Sequence, residues 1–136
     1  TILIVRKRIM NIPEQWANQA DYDLDTAKSM LAASRYGYVL FCCQQSAEKM
    51  LKAILAAKYQ EMPPRIHNLM VLAERIPLSC DEITADFLRA LSRYYIHTRY
   101  PEDMAKTSQS ISVDLAKEVY EKTTELIKWL KSMMTS

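Results

Sequence analysis

The sequence predicts an all-α domain, an up-and-down bundle of about five helices, and three observations carry that prediction. Gly37 is the only glycine, which leaves little material for hairpin turns and none for glycine-rich phosphate loops or dinucleotide fingerprints. Met, Leu, Ala, Glu and Lys are plentiful, and all favour helix. Apolar residues recur every three or four positions, and no stretch alternates apolar with polar as a half-buried strand does. A chain of 136 residues, 49% apolar and 25% charged, fits one folded domain rather than a disordered chain.

The first helix is expected to begin near Asn11. Asn11 and Glu14 have capping-box spacing, and Pro13 is tolerated in a first turn. Trp16, Ala20, Leu24, Ala27 and Leu31 make its apolar stripe, with Asp21, Asp25 and Lys28 on a solvated face. Residues 1–10 read as an N-terminal extension or loose tail, and residues 11–136 as the bundle domain. Their order of apolar residues before Arg6, Lys7 and Arg8 is the reverse of a signal peptide.

Gly37 is expected to break the chain before a second helix from Tyr38 to Tyr59, with Leu40, Phe41, Ala47, Leu51, Ile54 and Leu55 inward. Gln44, Gln45, Glu48, Lys49 and Lys52 interrupt this otherwise apolar element. Buried polar groups need partners, so this face is expected to look into a cleft or a subunit contact. Pro63-Pro64 ends the helix, a short third one fits His67–Ile76, and Pro77 stops that. Ser79 and Glu82 offer a second capping box for a fourth helix reaching Ile96, on Ile83, Phe87, Leu88, Leu91 and Tyr95. The segment from His97 to Thr107, holding Pro101, reads as a loop. The last helix runs from Ser110 to Met133 on Val113, Ala116, Val119 or Tyr120, Thr123, Ile127 and Leu130.

Eighteen Lys+Arg against sixteen Asp+Glu leave a net charge of +2, too little to hold nucleic acid by overall field. Any such binding needs a local patch. Cys42, Cys43 and Cys80 are odd in number and have no zinc or redox spacing, so they read as small buried hydrophobes in a reducing, cytoplasmic setting. His67 and His97 are the only histidines, and neither sits in a metal-binding pattern. No metal or cofactor is expected. No apolar run reaches the length of a membrane span.

The densest chemistry lies in Arg93-Tyr94-Tyr95-Ile96-His97-Thr98-Arg99-Tyr100-Pro101. Arg supplies a fork of donors for phosphate oxygens, Tyr a flat face for a base, and His a proton donor or acceptor near neutral pH. Arg93 and His97 are four apart and share a helix side. The bland reading is a set of caps and snorkelling side chains at a helix end. Lys49 and Lys52 form a second candidate for phosphate, against which Glu48–Lys52 as an i,i+4 pair is the stronger reading.

Four stretches resemble the HEPN domain family, named for higher eukaryotes and prokaryotes nucleotide-binding. They are Ala20, Asp23, Leu24 and Ala27 with Tyr36; the run from Phe41 through Gln44-Gln45-Ser46-Ala47-Glu48-Lys49 to Ala53; Pro64 with His67-Asn68-Leu69; and Thr98-Arg99-Tyr100-Pro101-Glu102-Asp103. The resemblance implies a homodimer of five-helix bundles with a cleft near its axis, binding a nucleotide or RNA. It also implies a separate minimal nucleotidyltransferase as partner, in a substrate-binding or toxin–antitoxin role. The transferase's own Gly-Ser and paired-Asp pattern is missing from this chain.

One branch of the family cleaves RNA without metal, with an Arg and a spaced His as its mark. Arg93 and His97 fall one residue short of that spacing, and Arg89 and His97 exceed it by one. A variant with Tyr two places after His is missed too, because Arg99 stands there and Tyr100 follows. The leading expectation is therefore a non-catalytic binding dimer, with Arg93, His97, Arg99, Tyr100, Lys49 and Lys52 as nucleotide or RNA contacts. The alternatives are a metal-independent endoribonuclease using His97 with Arg93 or Arg99, and a purely structural dimerisation module.

Overall fold

The computed structural model describes residues 2–97 and 101–134, and the apolar spacing resolves there into six helices. They are α1 (Ile2–Ala32), α2 (Tyr36–Tyr59), α3 (Leu69–Arg75), α4 (Glu82–His97), α5 (Pro101–Ser110) and α6 (Val113–Met134). No strand occurs among the described residues, and none of the helices is long and apolar enough to cross a membrane. The fold is the expected all-α bundle with one more helix than expected.

Helix α2 is the axis of the bundle, packing on every other helix. From Val39 to Ala56 most of its residues are buried, including Leu40, Cys43, Met50 and Leu51. Leu69 and Leu72 of α3, Leu88 and Leu91 of α4, and Ile127 and Leu130 of α6 complete a continuous core around it. The stripe read for the last helix is buried as expected at Ala116, Val119, Thr123, Ile127 and Leu130, with Leu126 added. Ile83 departs from its expected core role: it is 78% exposed. It lines an apolar groove of about 680 Å³ between α4 and α6, together with Phe87, Leu126 and Trp129.

Several expected boundaries are corrected. Helix α1 begins at Ile2 rather than near Asn11 and carries Pro13 in its interior. Residues 2–10 contain neither Gly nor Pro, so nothing in them stops a helix, and Pro13 costs one backbone bond without ending it. The break after α1 lies at Ser34, in the left-handed region at φ 60°, and not at Gly37. Gly37 is buried within α2. At the far end of α2, Gln60 takes the left-handed cap at φ 53° and donates its N–H to Ala56.

The third helix starts two residues later than expected, because the Asn68 side chain caps it by accepting from the N–H groups of Met70 and Val71. Asp81, not Ser79, caps α4: its carboxylate accepts from Thr84 N–H at 2.7 Å. That bond holds the Asp81 carboxyl below its ordinary range. The segment read as a loop from His97 to Thr107 contains α5. Pro101 opens that helix, where its missing N–H costs nothing, and Glu102 and Asp103 favour its positive end. Ser112 then caps α6 through Leu115 N–H at 3.1 Å, so this helix starts at Val113 rather than Ser110.

Candidate functional site

The polar residues of α2 turn inward, and each finds a partner. Ser46 Oγ donates to the Ala20 carbonyl of α1 at 2.7 Å, and Lys49 Nζ meets Asp23 at 2.6 Å. Asp21, from the face read as solvated, reaches Lys131 of α6. Glu48 is 4% exposed and collects three donors. Lys52 Nζ lies 3.1 Å from its Oε2, while Gln44 Nε2 at 3.2 Å and His67 Nδ1 at 3.0 Å share Oε1. The Lys52 ammonium also sits 5.5 Å from the centre of the Trp16 ring. The pair reading for Glu48 and Lys52 therefore holds, but the pair is buried rather than on the surface. The face expected to look into a cleft is instead satisfied inside the bundle; among the described residues no buried side-chain N or O lacks a partner.

This network reaches the surface at His67. Its ring stacks on Tyr95 of α4, with centroids 4.4 Å apart and planes 18° from parallel. Gln44 also donates to the His67 carbonyl at 3.4 Å. Leu69 N–H donates to Ser92 Oγ at 2.8 Å, which pins the start of α3 against α4. The His67 side chain is 46% exposed and lines a groove of about 580 Å³ between α3 and α4.

Arg89, Ser92, Arg93 and Tyr95 form the α4 wall of this groove; Asn68, Met70, Val71 and Glu74 form the other. Arg89 and Arg93 are one helical turn apart, so their guanidinium groups repeat along the wall. Among the described residues Arg89 is held by an exposed pair with Asp86 at 3.0 Å, an interaction worth little and easily exchanged for a phosphate. Glu74 is the single acid among the lining residues. The α4–α6 groove has the opposite character, with Asp86, Glu121 and Glu125 against Lys122 on an apolar floor. Of the two, only the α3–α4 groove suits an anion.

The expected site residues are thus divided. Arg93 lines the groove, and the helix continues to His97, whose backbone occupies the next position along that row. Tyr94, next to Arg93, is half-buried against the core, where burial pushes its phenol up. Arg99 and Tyr100 lie outside the described residues. Lys49 and Lys52 are engaged by Asp23 and Glu48 and do not line the groove. Arg89, His67 and Tyr95 were not among the expected contacts. His67 and Glu48 stand nineteen residues apart, and no spacing rule joins them. The available signal was the set of charged residues inside an apolar helix.

Cys43 is fully buried and Cys42 half-buried, and burial pushes their thiols up to about 12 and about 11. Neither has the depressed pKa of a nucleophile. Among the described residues no group of three or more His, Cys, Asp or Glu could hold a metal ion.

The family described as the HEPN domain matches residues 13–133, nearly the whole chain. Among solved structures, the chain is similar to TT1696 from Thermus thermophilus, at 22% identity and a TM-score of 0.76. The match covers 90% of this chain and 98% of that one, and it shows a shared fold. No curated protein matches the chain.

Proposed function

Because the chain belongs to the HEPN domain family, we propose that it binds the phosphate backbone of a nucleotide or RNA in the groove between α3 and α4. It does so as a homodimer, in partnership with a separate minimal nucleotidyltransferase. The observation that carries the binding reading is the pairing of Arg89 and Arg93 with the stacked His67–Tyr95 rings on a single groove.

Two guanidinium groups a helical turn apart can each meet a phosphate oxygen pair. The stacked rings beside them offer aromatic surface to a base. With a net charge of only +2, the affinity must come from this local arrangement. His97, Arg99 and Tyr100 follow Arg93 in the sequence and are the remaining contacts of the proposal. Lys52 acts at one remove, by holding the carboxylate that holds His67.

Titrating a fluorescein-labelled oligoribonucleotide by anisotropy tests this. Arg93→Ala and Arg89→Ala should each weaken binding by about tenfold. Each should also lower the slope of log K against log salt by about 0.7, the loss of one phosphate contact on a single strand. Binding that ignores both substitutions removes the groove from the proposal. Sedimentation of the purified chain at twice its 15.8 kDa mass, and its co-purification with a co-expressed transferase, test the homodimer and the partner separately.

A further inference from the structure

We infer that His67 is a specificity-determining residue of this groove, held by Glu48 as a hydrogen-bond acceptor for a ligand hydroxyl, so that the site prefers ribose to deoxyribose ligands. The inference rests on the binding function proposed above and adds the chemical class of sugar.

Glu48 faces the Lys52 ammonium at 3.1 Å as an ion pair, and an ionised carboxylate has only acceptors to offer. The 3.0 Å contact between Glu48 Oε1 and His67 Nδ1 therefore requires the proton on Nδ1. Lys52 already balances the Glu48 charge, Gln44 supplies a further donor, and Arg89 and Arg93 line the same groove. With its proton on Nδ1, a neutral imidazole carries its lone pair on the other nitrogen, Nε2. The stack on Tyr95 fixes the ring plane, and the Glu48 bond fixes its rotation in that plane. No described residue bonds Nε2, and His67 lines the groove.

An acceptor next to two guanidinium groups discriminates in a simple way. A phosphate oxygen has no hydrogen to give Nε2, whereas a ribose hydroxyl beside that phosphate has one. The 2′-hydroxyl is the group by which a protein distinguishes RNA from DNA. Glu48 is a positioning residue here: it sets which nitrogen of His67 meets the ligand.

Two measurements on the whole chain test this. Nitrogen-15 NMR of the unliganded protein should place the His67 proton on Nδ1, with a pyridine-type signal for Nε2. A labelled short oligouridylate should bind about tenfold more tightly than its 2′-deoxy counterpart, the worth of one hydrogen bond. His67→Phe keeps a ring on Tyr95 and leaves Glu48 its Lys52 and Gln44 partners, and it should lower the ribose strand to the affinity of the deoxyribose strand, abolishing this ratio. Equal binding of both strands by the wild type overturns the inference alone, as does a ratio that survives in His67→Phe. A proton on Nε2, alone or with Nδ1, overturns it too. Binding of neither strand overturns the proposed function and this inference with it.

Discussion

Glu48 and its three donors show what single residues contribute. A buried charge that loses its partner keeps its desolvation cost, and removing one member of such a pair costs about 3–5 kcal/mol. Lys52→Met removes the ammonium that balances Glu48 and should lower stability by about that much in a urea titration. Lys122→Met, which breaks an exposed pair with Glu118, should cost under about 1 kcal/mol.

Cys43 carries a second residue-scale prediction. Its thiol titrates at about 12 in the fold, against 9.0 as the ordinary value, chiefly because burial disfavours the thiolate. The folded state thus binds this proton more tightly than the unfolded chain. The resulting stability is complete below pH 9.0 and is lost as pH rises toward about 12. Tm measured across that range should fall less steeply for Cys43→Ala than for the wild type; parallel curves would contradict the assignment. The sequence foretold the buried character of Cys42 and Cys43 from their composition and spacing. It could not foretell Glu48 with His67, because a contact across nineteen residues depends on how α2 and α3 pack.

Elements were legible to the extent that local chemistry decided them. Most of the α2 and α6 stripes is legible because burial repeats with the helical period, but Phe41 is only partly buried and Val113, at the start of α6, is 39% exposed. Boundaries failed where the signals competed: Asn11 with Glu14 looks like a start, yet nothing before it prevents the helix from continuing to Ile2. Pro101 reads as a loop marker in the sequence, whereas it occupies the first helical position, which suits it. Ile83 fits the α4 stripe by spacing but is exposed on the α4–α6 groove. Leu91→Ala should therefore cost about 2–5 kcal/mol by the loss of core packing. Ile83→Ala should change stability by under about 0.5 kcal/mol in the same denaturant titration. Equal losses would mean that the core does not end where the burial pattern ends it.

For the whole molecule, the bundle separates two grooves by their chemistry. The α4–α6 groove is apolar with an acidic rim, while the α3–α4 groove gathers two arginines and a histidine tied to the buried network of α2. The basic cluster was visible in the sequence as a run around Arg93. Its opposite wall was not, since the segment leading into α3 brings His67 and Asn68 there only through packing on α4. The most direct measurement is amide chemical-shift mapping with a short oligoribonucleotide. Shifts concentrated at Asn68, Arg89, Arg93 and Tyr95 are the predicted result. Shifts concentrated at Ile83, Phe87 and Trp129, or none anywhere, would contradict the assignment of the α3–α4 groove as the binding site.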